Sequence, residues 1–139
     1  MKPDFLNEIA ISIEPVGSRV TCDPAPTDTD EDWLVLVREK DVHRATDLLG
    51  DKNGFHLDNP SEHYRPEQST FNSWRGPNNT NLIVTFDPSW HYRFQTATKL
   101  AKRFNLMLKE ERVALFQAVL YGVDYSNRSS VATQAFDVI

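Results

Sequence analysis

Apolar and polar residues alternate along Ile11-Ser12-Ile13-Glu14-Pro15-Val16, and the alternation stops at Gly17. A period of two marks a strand with one covered face. In residues 32–37 the run Trp33-Leu34-Val35-Leu36-Val37 is unbroken, which predicts a second, central strand buried on both faces. Residues 70–75 and 80–86 read as two more strands, joined into a hairpin by Gly76-Pro77-Asn78-Asn79. The period then changes. Trp90, Phe94, Ala97, Ala101, Phe104 and Leu108 recur at steps of three and four, one face of a long helix. Asp87 stands at its N-cap and Pro88 at its first position. A second helix is expected over 110–121, with Val113, Phe116, Val119 and Leu120 inward and Gly122 at its end.

Shorter signals fill the gaps. Residues 4–9 read as a short helix after Pro3, and Asp41 as the N-cap of a helix over 42–49 that Gly50 closes. Residues 21–29 hold Pro24 and Pro26 and have no period, which makes them a loop. Residues 51–69 are polar, with Pro60 and Pro66, and read as a long surface excursion holding a short strand at 55–57. The Ser-rich stretch 123–139 reads as a C-terminal tail, flexible or docked on a partner. The expected architecture is one α/β (α+β) domain over residues 1–122: a short mixed sheet with helices packed on one face.

Composition adds limits. The chain has 139 residues, 40% hydrophobic and 25% charged, which suits one globular domain. No apolar run approaches the roughly 20 residues of a membrane span, and no apolar segment follows Met1-Lys2-Pro3-Asp4 as in a signal peptide. With Cys22 as the one cysteine, no intramolecular disulfide is possible, and a cytoplasmic location is expected. A net charge of −5 argues against general DNA binding. The charge is uneven: acids crowd Asp23 to Asp32, while Lys99, Lys102, Arg103, Lys109 and Arg112 gather later. Those bases either face the acids across a cleft and cradle a triphosphate, or line a solvated helix face.

The chemistry-bearing stretch is Val16-Gly17-Ser18-Arg19 followed by Asp28-Thr29-Asp30-Glu31-Asp32 at the mouth of the second strand. Residues i and i+2 of a strand share a face, so Asp30 and Asp32 project together and Glu31 points away. Paired carboxylates suit Mg²⁺ (or Mn²⁺), a hard cation that brings substrate phosphates with it. Gly17 allows close backbone approach to an anion, and the Ser18 hydroxyl can bond a phosphate oxygen. Arg19 is either a phosphate contact or a surface arginine, and Arg75 and Lys99 are weaker candidates of the same kind. Asp28 and Asp30 form an alternative pair, but Asp32 abuts the apolar strand and is preferred. An EF-hand reading of Asp28, Asp30, Asp32 and Glu39 fails, because Trp33 stands where that loop needs glycine. His43, His56, His63 and His91 have no zinc-ligand spacing with Cys22, and no His/Asp arrangement adjoins Ser18 to make it a hydrolase nucleophile. Trp74 and Trp90 read as core.

Gly17-Ser18, a spacer, then Asp30-Glu31-Asp32 running into an apolar strand resembles the polymerase beta-like nucleotidyltransferase superfamily, particularly small single-domain phage and bacterial members. The resemblance runs from about Ile11 to about Tyr121. It implies metal-dependent, magnesium- and ATP-type nucleotide binding, with Asp30 and Asp32 catalytic and metal-binding, and Gly17, Ser18 and Arg19 at the nucleotide. It implies transfer of a nucleotidyl group from a nucleoside triphosphate to a protein or RNA acceptor. Many active members carry a third acid on a later strand; the position that looks equivalent here is Asn81, before Leu82-Ile83-Val84. The alternative the resemblance leaves open is a weak or inactive transferase that serves as a binding partner, inhibitor or antitoxin.

Overall fold

The computed structural model describes residues 1–27, 30–58 and 71–122. Five strands form one mixed sheet: β1 (Ala10–Val16), β2 (Glu31–Val37), β3 (His56–Leu57), β4 (Phe71–Gly76) and β5 (Thr80–Thr85). Their spatial order is β1-β2-β5-β4-β3. β2 and β5 run parallel at the centre, and every other pair is antiparallel. The unbroken apolar run of β2 is thus explained: a parallel central strand is covered on both faces.

Alternation along these strands sorts two cores. Val16, Leu34, Phe71 and Ile83 face α3 (Pro88–Arg103) and α4 (Lys109–Tyr121), packing with Trp90, Phe94, Ala97, Ala101, Val113, Phe116 and Leu120. Phe71 stacks on Trp90 with ring centroids 4.6 Å apart, and Phe94 meets Phe116 edge-on at 4.9 Å. The two long helices therefore lie on one face, as read. The opposite face is also covered. Val35, Val37, Trp74 and Leu82 pack there with Leu6, Ile9, Ala45, Leu49 and Phe55, from the N-terminal turn, α2 (Val42–Asp47) and the turn after it. Trp74 and Trp90 are both core residues.

α3 begins as expected: the Asp87 carboxylate accepts from the Ser89 and Trp90 amides at 2.9 and 3.2 Å, with Pro88 in the first position. Gly122 ends α4 with φ 77°, a conformation that suits glycine. Other local expectations are corrected. Residues 4–9 form only a 3-10 turn, Asp4–Leu6. A four-residue helix, α1 (Ser18–Thr21), follows β1 directly, so the loop starts later than the sequence indicates. Asp41 precedes α2 but caps nothing with its side chain; it pairs with Arg38 and Arg44 at 3.4 and 3.6 Å. Gly50 does not stop that helix, which widens into a π turn over Leu48–Lys52. Burial of Leu49 and Phe55, with the Phe55 amide donating to the Leu49 carbonyl at 2.9 Å, favours continuing the chain past Gly50. Phe104 and Leu108 lie outside the core, 62% and 55% exposed, because α3 ends at Arg103 and Asn105 turns the chain with φ 47°. The 123–139 tail and most of the 51–69 excursion lie outside the described residues.

Candidate functional site

One row of residues crosses the sheet at the start of β2. Val16 on β1 is the register partner of Asp32, which neighbours Asn81 on β5, which faces Arg75 on β4, which faces His56 on β3. Paired residues point to one face, so this row lies on the α3 side of the sheet. Asp30 precedes Asp32 by two and Asp58 follows His56 by two, which aims both at the same surface.

Asp30 and Asp32 do come together. A single amide nitrogen, Asn81 Nδ2, donates to Asp30 Oδ2 at 2.9 Å and to Asp32 Oδ1 at 3.1 Å. Glu31 points to the other face, where Trp33 Nε1 donates to its Oε1 at 2.8 Å and the Met1 amine pairs with it. Arg75 reaches in from β4: Nη1 donates to Asp30 Oδ2 at 3.2 Å and Nε to Asp58 Oδ2 at 3.1 Å. The bond to Asp58 is the main reason the guanidinium is held above its ordinary pKa, with Asp30 adding to it.

Gly17 and Ser18 stand at the same corner. Gly17 has φ 81°, a region that L side chains avoid, and it lies so close under Asp32 that a Cβ would overlap the carboxylate. The β1-to-α1 turn thus presses directly on one of the two acids. Ser18 opens α1 and is buried. The Arg19 guanidinium pairs with Glu31 at 3.7 Å, and its charge is felt at Asp32.

Burial dominates the electrostatics. Asp32 is 6% exposed, and desolvation pushes its carboxyl up to about 7; the Asp30 charge adds to this, against the Asn81 hydrogen bond and the charges of Arg75 and Arg19. Asn81 is 2% exposed, and its Oδ1 has no hydrogen-bond partner. Such an orphan costs free energy unless something else satisfies it. Among the described residues no three of His, Cys, Asp and Glu gather as a metal cluster. The two carboxylates are oxygen ligands, and the amide would add a third oxygen only with its Oδ1 turned toward them; such a set fits a hard divalent cation held by fewer charges than a full acidic triad.

Of the basic residues grouped in the sequence, Arg112 is not on a solvated face. It is buried, and Nη1 donates to the Leu106 and Met107 carbonyls at 2.9 Å each, with Cys22 Sγ at 3.3 Å. Lys99 and Lys102 border a cleft between α3, the end of β1 and Val20 of α1, which Glu14 also lines. Asp28 lies outside the described residues. Sequence reasoning missed Asp58 and the placement of His56. Their spacing, His56-x-Asp58, repeats the i, i+2 signal of Asp30-x-Asp32, but β3 is only two residues long and gives no apolar run to anchor it.

The fold is a small α/β domain built on a five-stranded mixed sheet. Among solved structures it is similar to the conserved protein GrpB from Enterococcus faecalis, with a TM-score of 0.52 and 14% identity over 94% of this chain and 82% of that one. No family model and no curated protein matches the sequence. Among the described residues, no helix is long and apolar enough to cross a membrane.

Proposed function

We propose that this chain binds a nucleoside triphosphate with Mg²⁺ or Mn²⁺ and transfers its nucleotidyl group to a protein or RNA acceptor. The observation that carries this reading is the convergence of Asp30 and Asp32 on one point above Gly17, at the start of the two central parallel strands. Asp30 and Asp32 would hold the cation. Bound there, it would offset triphosphate charge and make the alpha phosphorus more electrophilic. Gly17 leaves room for the Asp32 carboxylate, and the turn it makes would offer its backbone and the Ser18 hydroxyl to the phosphates. An acceptor hydroxyl attacks the alpha phosphorus in line and gives up its proton to solvent, while the bond to pyrophosphate breaks and pyrophosphate leaves with its electron pair. Asn81 cannot take a proton, so it does not serve as the base.

A second reading follows from Asn81. An amide beside Asp32, where related folds place a third acid, favours weak or absent turnover, with the chain acting as a binding partner or inhibitor of another protein. The two readings part on one experiment. The chain is incubated with alpha-labelled nucleoside triphosphates, Mg²⁺ or Mn²⁺, and lysate, and label is sought on protein or RNA. Transfer that is lost in Asp32→Ala supports the transferase. No transfer to any component, with nucleotide binding intact, supports the binding role.

A further inference from the structure

The row Asp32–Asn81–Arg75 places a positive charge next to Asn81, the position that in the resemblance stated above would carry a third acid. We propose that this site takes a single divalent cation and that Arg75 supplies the second positive charge, passing from Asp30 to a phosphate of the bound nucleotide. The inference deepens the nucleotide-binding reading above and rests on it.

Two observations and one chemical match carry it. First, Arg75 sits on the strand beside Asn81 and in register with it, with Nη1 already on Asp30 Oδ2 at 3.2 Å. Replacing a carboxylate by an amide and a dication by a guanidinium leaves the summed charge of the site unchanged. Second, Arg75 has two anchors of different kind. Asp30 lies inside the site and is 32% exposed at its side chain, whereas Asp58 lies at the rim and is 48% exposed. A cation taking Asp30 releases Nη1, while Nε on Asp58 keeps the guanidinium at the mouth. Ion pairs this exposed are weak, so the exchange is cheap. Third, a guanidinium matches phosphate oxygens in shape as well as charge. Asn81 accommodates the same exchange: its NH₂ bridges the two acids now, and its orphaned Oδ1 is a ligand once the amide turns over.

The test uses the full chain and two probes: Mn²⁺, counted by electron paramagnetic resonance, and a non-hydrolysable nucleoside triphosphate analogue. Wild type should bind one Mn²⁺ per chain, alone and with the analogue. Arg75→Gln should move the two affinities in opposite directions. Mn²⁺ alone should bind several-fold tighter, because Asp30 is freed, and the analogue about tenfold weaker, because a charged phosphate contact is lost. Arg75→Lys should recover part of the analogue affinity. Two Mn²⁺ per chain in wild type would overturn the proposal, as would Arg75→Gln shifting both affinities the same way or neither. If wild type binds no Mn²⁺ at all and Asp32→Asn behaves identically, the nucleotide-site reading itself falls, and this inference with it.

Discussion

The Asp32 carboxylate lies directly over Gly17, with no space between them for a side chain. This contact ties the turn after β1 to the acid at the start of β2. It also makes Gly17 a residue of the site and not only of the turn.

Gly17→Ala is therefore expected to harm both stability and the site. An L residue at φ 81° is strained, and its methyl overlaps the Asp32 carboxylate. The expected loss is about 2–4 kcal/mol in urea denaturation, the sum of backbone strain and forced displacement. A loss within 0.5 kcal/mol, roughly the surface-substitution range, would mean that the turn relaxes freely.

The buried acid sets a pH dependence. The folded-state carboxyl of Asp32 is raised from 3.8 to about 7, so the folded chain binds this proton more tightly than the unfolded chain. Its stabilising contribution is complete below pH 3.8 and is lost as pH rises to about 7. In chelator, Asp32→Asn should match wild type near pH 4 and be more stable at pH 8, by up to a few kcal/mol at about 1.4 kcal/mol per pKa unit. Thermal melts across that range read it out. A variant that is less stable than wild type at pH 8 would show that the carboxylate is well satisfied in its ionised form.

Asn81→Asp sharpens the same electrostatics. It removes the amide that bridges the two acids and adds a third carboxylate beside them. Without divalent cation the variant should melt lower than wild type at pH 8, by about 1–3 kcal/mol in stability. Mg²⁺ should restore it more than it stabilises wild type, since cation affinity follows the number of charged ligands. Any transferase rate should rise. A variant indifferent to Mg²⁺ would remove Asn81 from the metal-facing set.

Arg112 gives a purely structural prediction. Its guanidinium ties the Leu106–Met107 connection to Cys22, spanning the α3–α4 junction and the end of α1. Arg112→Ala should cost about 2–4 kcal/mol, because two part-buried carbonyls and the Cys22 sulfur lose a buried charged donor. Arg112→Lys should recover only part, since one ammonium cannot copy the planar fork. Nucleotide affinity of the folded fraction should not change.

Much of this was legible in the sequence, for identifiable reasons. β2 carries a long apolar run and β5 a short one, α3 carries both a period and a cap, and the Asp30-x-Asp32 spacing forces a shared face. What escaped reading lay in contacts between distant segments. Nothing local says that Arg75 meets Asp30, because their meeting depends on β4 lying next to β5 and β5 next to β2. Arg112 looks like any helical arginine until the chain ends of α1 and α3 close around it. Gly50 resembles a stop signal, yet burial of Leu49 and Phe55 carries the helix past it. Asp41 has the composition of a cap, but two nearby arginines claim its carboxylate.

The most direct measurement is calorimetric titration of a nucleoside triphosphate into the chain, with and without Mg²⁺, for wild type, Asp30→Ala and Asp32→Ala. Wild type should bind with Mg²⁺ and at least tenfold more weakly without it, while both variants lose the Mg²⁺-dependent part and keep their folded circular dichroism spectra. Equal affinity in all three proteins, whether or not Mg²⁺ is present, would contradict the assignment of Asp30 and Asp32 as a cation and nucleotide site.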